Sequence, residues 1–154
     1  VHGEITPLVR GRLGIGVEHQ NFLNAGLRNL TTLAFDGNID WLVTDITTIS
    51  LSGNRTVQNT SLPTSPARLI TRFRLHLDHE LLRNVLLWGE ADRENSDYRN
   101  GVDRDTLWRG AAGANWLLNA HIRTKVQGEV RNRSSDTGSG YTEAKLTAGV
   151  HLQL

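Results

Sequence analysis

Apolar and polar residues alternate strictly along the last stretch of the chain, residues 142–154. The apolar positions are Ala144, Leu146, Ala148, Val150, Leu152 and Leu154, and the positions between them are Glu143, Lys145, Thr147, Gly149, His151 and Gln153. Successive side chains of a β-strand point to opposite faces, whereas a helical face repeats every 3.6 residues. The pattern therefore predicts a strand with one apolar and one polar face.

The same alternation recurs along nearly the whole chain and predicts about eight strands. They are placed at residues 6–21, 32–43, 47–57, 67–78, 85–94, 107–118, 120–133 and 142–154. Long polar connections are expected at residues 22–30, 58–66, 95–105 and 134–141, and short ones at residues 44–46, 79–84 and 119. Long loops at one end and short turns at the other are typical of an up-and-down membrane barrel. We expect one all-β domain over residues 1–154, an antiparallel up-and-down transmembrane β-barrel.

The composition of the chain excludes several classes of protein and of site. The hydrophobic fraction is 38%, the mean hydropathy is −0.37, and no run of eighteen apolar residues is present, which excludes a helical membrane protein. A membrane barrel remains, because only every second strand residue must face lipid. The net charge of +1 gives no basic field, so nucleic acid is not an expected partner. The chain has no cysteine, which excludes disulfides and thiolate metal sites. Because it begins at Val1, we expect a mature form or a piece of a longer chain.

Alternation alone does not say whether the apolar face points out to lipid or into a core, so a soluble lipocalin-like ligand-binding barrel is the structural alternative. The positions of three tryptophans favour an apolar face that points out to lipid. Trp41 and Trp116 lie on the apolar face near short turns, and Trp108 lies on it near the opposite strand end. Indole rings are favoured at both margins of a membrane. The chain ends at Leu154 on the apolar face, similar to a terminal outer-membrane assembly signal, although an aromatic residue is usual there.

The charged face is predicted to line a lumen. Its candidate residues are Arg72, Arg74, Glu90, Asp92, Arg109, Arg123, Lys125, Glu129, Arg131, Glu143 and Lys145. Turns centred at Leu82, Asn119 and Thr137 predict the cross-strand pairs Arg74 with Glu90, Arg72 with Asp92, Arg109 with Glu129, Arg131 with Glu143 and Glu129 with Lys145. Repeated matching of opposite charges admits two interpretations. The pairs fix the register and neutralise the lumen, or they line a transit path for a polar solute.

Histidines and serines suggest two kinds of chemistry, and neither is expected. His76 and Asp78 share a strand face while His79 falls in a turn, so these three residues do not converge on a metal ion. A lipid-ester hydrolase needs a serine beside a histidine, and Ser50 or Ser52 would approach His76 only in one particular register. No nucleophile motif supports that activity. We expect no enzyme activity, no metal site and no cofactor.

Three segments resemble a known family. Residues 78–87, DHELLRNVLL, resemble a hairpin of the putative β-barrel porin type 2 family of Gram-negative outer-membrane proteins, and the acidic segment 92–97 and the WLLNA turn at residues 116–120 agree with it. The resemblance covers most of the chain and implies a location in the bacterial outer membrane. Members of this family are usually longer, which implies that the chain is the C-terminal part of a larger barrel.

The expected function is a porin-like passive polar path or a structural membrane component of the cell envelope. One alternative is a membrane-anchored interaction or assembly barrel that uses its extracellular loops, and the other is the soluble barrel. Expected partners are outer-membrane lipid and lipopolysaccharide, the barrel assembly machinery that inserts such proteins, and an envelope protein complex or a homo-oligomer. An eight-strand barrel is filled by its own side chains, so the 154-residue chain alone is expected to give no sustained single-channel conductance.

Overall fold

The computed structural model describes residues 2–21, 29–62, 65–98, 104–136, 138 and 140–153. These residues form nine β-strands, and none of them belongs to a helix that is long and apolar enough to cross a membrane. The strands are β1 His2–Thr6, β2 Val9–Gln20, β3 Leu30–Thr44, β4 Thr47–Leu62, β5 Ser65–Leu82, β6 Val85–Tyr98, β7 Arg104–Leu117, β8 Ile122–Ser135 and β9 Tyr141–Leu152.

The strands form one antiparallel sheet in which each strand pairs with the next along the chain, in the order β1 to β9. This confirms the all-β, up-and-down architecture. One strand is added to the eight expected, because a tight turn at Pro7 and Leu8 separates β1 from β2. Within the described residues, β1 pairs only with β2 and β9 only with β8, so these nine strands form an open sheet.

Three of the four connections at one end of the sheet are longer than those at the other end, as expected, whereas β4 and β5 are joined there across two residues only. The short turns join β3 to β4 and β5 to β6 through two residues each, Asp45 with Ile46 and Arg83 with Asn84. We call this edge the short-turn end and the opposite edge the long-loop end. The predicted boundaries at the long-loop end are partly wrong. A loop was expected at residues 58–66, but β4 runs to Leu62 and β5 begins at Ser65.

The reason is that a sheet is held by main-chain hydrogen bonds, so a polar composition does not end a strand. Asn59 still pairs with Ala67, and β6 likewise continues through the polar residues to Tyr98. The central parts of two predicted loops, residues 22–28 and 99–103, lie outside the described residues, as does Leu154.

Register and alternation together give the sheet two chemically distinct faces. Directly paired residues share a face, so a row of partners can be followed across β2 to β9. One such row is Arg12, Asn38, Ser52, Arg74, Asp92, Arg109, Arg131 and Glu143, and its side is called the charged face. The neighbouring row is Gly11, Ile39, Leu51, Leu75, Ala91, Gly110, Val130 and Ala144, and its side is called the apolar face.

Solvent exposure is inverted relative to a water-soluble sheet. Asp92 on the charged face is only 7% exposed, whereas Leu75 and Trp108 on the apolar face are 49% and 50% exposed. Ile70, which breaks the alternation by standing on the charged face, is 2% exposed. Over β5 to β7 the charged face is therefore the more enclosed side of the sheet, and the apolar face is the more exposed one.

Candidate functional site: the charged face

The centre of the charged face is a carboxylate held between two guanidinium groups. The register of β5, β6 and β7 sets Arg74, Asp92 and Arg109 side by side. Arg74 Nε donates to Asp92 Oδ1 at 2.6 Å, and Arg109 Nε donates to Asp92 Oδ2 at 2.9 Å. Each carboxylate oxygen accepts a charge-assisted hydrogen bond. Because both oxygens of Asp92 are hydrogen-bonded, this charged side chain can be nine-tenths buried.

Two glutamates extend this arrangement along the next row. Glu90 contacts Arg109 and lies 3.6 Å from Arg74 and 3.3 Å from His76 Nδ1. Glu129 lies 3.5 Å from Arg109, and its Oε1 is 2.6 Å from Arg131 Nε in an ion pair. The seven side chains form what we call the central network: Arg74, His76, Glu90, Asp92, Arg109, Glu129 and Arg131. Three arginines balance three carboxylates, so the formal charges of these six side chains cancel.

Ion pairing continues toward the long-loop end. Arg72 pairs with Glu94. Arg133 donates to Asp105 at 2.6 Å, and Tyr98 approaches the same carboxylate at 3.4 Å. The charged face thus carries a continuous band of paired charges over β5 to β8.

The charged face is sparser over β2 to β4. Asp40 accepts from Ser50 Oγ at 2.6 Å, while Arg12 and Asp36 are 3.7 Å apart with side chains 59% and 65% exposed. Small uncharged side chains such as Asn38 occupy the rows between them. The charged face therefore has a densely charged half over β5 to β8 and a more open polar half over β2 to β4.

The structure places all eleven sequence-predicted residues on the charged face. They are Arg72, Arg74, Glu90, Asp92, Arg109, Arg123, Lys125, Glu129, Arg131, Glu143 and Lys145. The predicted register between β8 and β9 is confirmed, with Glu129 opposite Lys145 and Arg131 opposite Glu143. Arg131 nevertheless makes its close contact with Glu129 on its own strand, at 2.6 Å.

Three predicted cross-strand pairs are wrong. Arg74 is opposite Asp92 rather than Glu90, and Arg72 is opposite Glu94 rather than Asp92. Arg109 is opposite Arg131 rather than Glu129. The close contacts of Arg74 with Glu90 and of Arg109 with Glu129 are therefore diagonal ones.

Turn geometry explains the error. The β5–β6 turn is centred between Arg83 and Asn84 instead of at Leu82, and a register shift between Glu80 and Leu82 in β5 sets the pairing of the rest of the two strands. At the β7–β8 turn the Asn119 side chain accepts from the backbone N–H groups of His121 and Ile122 at 2.8 and 2.9 Å, which moves the centre beyond Asn119. In both hairpins the observed partner lies two residues further along the second strand than the predicted one. Because residues two apart share a face, such a shift changes the partner and keeps every side chain on its face.

Trp88 is the main site residue that sequence reasoning missed. Its ring stacks on His76 with centroids 6.3 Å apart, and Lys125 Nζ lies 5.6 Å from the ring. A Cβ at Gly113 would meet this ring at 2.9 Å, so glycine is needed beneath it. Trp88 stands in the apolar run VLLW, which hides the alternation. Counting back by two from Glu90 would have placed it on the charged face.

The other three tryptophans lie on the apolar face and are about half exposed, with Trp41 at 47% and Trp108 and Trp116 at 50%. Trp108 and Trp116 stand at opposite ends of β7. Eight residues separate them, about 26 Å along a strand, or about 20 Å along the membrane normal at the usual strand tilt. That span approaches the height of the apolar band of a membrane barrel, about 25 Å.

The remaining candidate residues, Ser50, His76 and His79, contact different partners. Ser50 is directly opposite His76, but its hydroxyl donates to Asp40, and His76 Nε2 lies 3.0 Å from Asp78. His79 is on the other face, where Nδ1 is 2.9 Å from Thr47 Oγ1. Within the part of the chain that the structure describes, no group of three or more histidine, cysteine or carboxylate side chains is arranged to hold a metal ion.

Comparison with known proteins gives one result. A family model described as "Putative beta-barrel porin 2" matches residues 1–154, the whole sequence. Neither the curated proteins nor the solved structures contain a significant match to the chain.

Proposed function

This chain belongs to the family of the putative β-barrel porin 2 model, and from that premise we propose that it forms part of a bacterial outer-membrane barrel whose charged face lines a passive path for polar solutes. The path needs no cofactor and carries out no catalysis. Lipid surrounds the apolar face, the short turns lie in the periplasm, and the long loops lie outside the cell, as is usual for such barrels.

The inverted exposure of the two faces is the observation that supports this proposal. Exposed leucine, valine and tryptophan side chains cover the apolar face over β2 to β9, with Leu146 reaching 79% exposure. Exposed apolar area of this extent would drive a water-soluble protein to associate. A lipocalin-like barrel would instead enclose its apolar face. Hydrocarbon outside and paired charges inside is the arrangement expected of a membrane barrel.

The solvent exposure of the central network is typical of the wall of a water-filled path and not of a dry core. Arg74 and Arg131 keep side-chain exposures of 42% and 43% although each pairs with a carboxylate. Water therefore reaches one side of the network while the other side packs on the sheet. A balanced, hydrated surface attracts solutes of neither charge strongly, which favours passage of small polar molecules over tight binding of one ion.

Strand number limits how such a path can be built. A barrel of about eight strands has an interior that side chains fill, whereas open porins use about sixteen. The long charged side chains of β5 to β8 would crowd so narrow a lumen. We expect the 154-residue chain alone to give no sustained single-channel current, and a larger barrel that contains it to give stable open-pore currents.

Ion selectivity in planar bilayers tests the proposal on the full-length protein. Lys145→Glu reverses one charge on the charged face and should shift the reversal potential in a salt gradient toward cations, and Lys145→Gln should shift it by about half as much. Ala144→Ser, on the neighbouring lipid-facing position, should leave the reversal potential unchanged. Absence of conductance from the full-length protein, or selectivity that does not respond to Lys145, would refute the conducting role.

A further inference from the structure

Positive charge is distributed unevenly on the apolar face. Among the described strand residues this face carries three arginines, Arg55, Arg93 and Arg104, and no lysine. All three stand on the long-loop side of the Leu75 row. The short-turn side of the same face carries neither arginine nor lysine within those strands. Within the described strands, the positive charge of the apolar face is therefore confined to the long-loop side.

Arg93 has a geometry suited to an interfacial anion. Its cross-strand partner is Trp108, and the guanidinium carbon lies 5.0 Å from the centre of the indole ring. Stacking on the ring holds the guanidinium plane while leaving its N–H edge available. Arg93 is exposed and makes no ion pair with a carboxylate among the described residues. Trp108 marks the membrane interface, so Arg93 lies at the depth of the lipid headgroups.

Arg55 provides a second positive charge nearby. Its row continues through Thr71, Asn95 and Thr106 on β5 to β7 and through Phe35 and Ile15 on β3 and β2, so Arg55 stands where the apolar band gives way to polar residues toward β7. It makes no described ion pair, in contrast to Arg104, which pairs with Asp97 at 3.1 Å. Arg55 and Arg93 are two strands and two residues apart, which gives a Cα separation of about 12 Å.

We propose that Arg55 and Arg93 bind the phosphate groups of a lipopolysaccharide headgroup in the leaflet on the long-loop side, with Trp108 as the platform that orients Arg93. The inference rests on the proposed membrane function. Two unpartnered guanidinium groups on a lipid-facing surface complement a headgroup that carries two phosphates, because guanidinium forms paired hydrogen bonds with phosphate oxygens. Only the leaflet facing the long loops meets these residues, so the site also fixes orientation in the membrane.

Lipid binding to the full-length protein in detergent micelles tests this site. The probes are diphosphorylated lipid A and the same lipid after enzymatic removal of its phosphates, with affinities read by native mass spectrometry. The wild type should bind the phosphorylated form at least about tenfold more tightly, and this preference should weaken as salt is raised. Arg55→Gln and Arg93→Gln should each reduce it about fivefold, and the double variant should abolish it.

Two controls separate this site from general electrostatics. Arg12→Gln removes the same charge from an exposed position on the charged face and should keep the preference. Arg93→Lys keeps the charge without the planar fork and should give an intermediate affinity. Equal binding of both lipids by a folded wild-type protein, or an equal loss in Arg12→Gln, would overturn the site and leave the membrane function standing. A protein that folds only without detergent would overturn both.

Discussion

Arg109→Met is the most informative single substitution in the central network. Arg109 contacts three carboxylates, with Nε 2.9 Å from Asp92, a contact to Glu90, and 3.5 Å to Glu129. Its side chain is 26% exposed and Asp92 is nearly buried. Methionine keeps much of the volume and removes the charge, so the substitution isolates the electrostatic contribution.

The structure sets the expected magnitude. Removing one partner of a fully buried ion pair costs about 3–5 kcal/mol. Here none of the three carboxylates loses its last cation, because Asp92 keeps Arg74 at 2.6 Å, Glu90 keeps Arg74 at 3.6 Å and Glu129 keeps Arg131 at 2.6 Å. We therefore expect the free energy of unfolding to fall by about 2–3 kcal/mol. Arg12→Met, which breaks an exposed 3.7 Å pair with Asp36, should cost less than about 0.5 kcal/mol.

Guanidinium unfolding in detergent micelles, followed by tryptophan emission, measures both values. A double-mutant cycle with Asp92→Asn should give a coupling energy of about 1–2 kcal/mol between Asp92 and Arg109. Equal destabilisation by Arg109→Met and Arg12→Met, or a coupling energy near zero, would show that the charged face is hydrated like an ordinary protein surface. The network would then add nothing to the stability of the sheet.

Three further predictions concern single positions. Gly113→Ala should lower the free energy of unfolding by about 1–3 kcal/mol, because the new Cβ would meet Val126 O at 2.7 Å. Gly128→Ala is the control, because its Cβ would meet nothing within 4 Å, and it should change the free energy of unfolding by less than about 0.5 kcal/mol. Similar values for the two variants would contradict the packing argument. Leu146→Lys, in the row of Ala112, which lies midway between Trp108 and Trp116 on β7, should cost about 2–4 kcal/mol in lipid vesicles, and Thr147→Lys on the charged face should cost far less. Ser50→Ala should leave lipid-ester hydrolysis at the background rate, and a loss of measurable hydrolysis in that variant would reveal an enzyme.

The face on which each side chain lies was predictable from the sequence, because it depends only on whether a residue stands at an odd or an even position along its strand. Residues two apart along a strand share a face, so Arg72 and Arg74 fall with Glu90 and Asp92 whichever pairs are directly opposite. Exact partners depend on the centre of each turn, and the sequence around Leu82 and Asn119 does not state where a bulge or a side-chain hydrogen bond will move that centre. The faces were therefore correct while three of the pairs were not.

Strand ends and the position of Trp88 were harder to predict for a different reason. Main-chain pairing continues through polar residues, so the composition of residues 58–66 gave no indication that β4 would reach Leu62. Trp88 lies in an unbroken apolar run where alternation carries no signal, and only its spacing from Glu90 identifies its face. The stacking on His76 and the need for Gly113 below it arise from cross-strand neighbours that one strand's sequence does not contain.

In the proposed arrangement the apolar face meets lipid and the charged face meets water. The chain has no cysteine, so single spin labels can be attached at Leu51→Cys and Ser52→Cys, adjacent residues on opposite faces in the middle of β4. In lipid vesicles the label at position 51 should collide mainly with oxygen, which dissolves in hydrocarbon, and the label at position 52 mainly with a water-soluble nickel chelate. The opposite pattern, with oxygen favoured at position 52, would contradict the inside-out arrangement on which the proposed function depends.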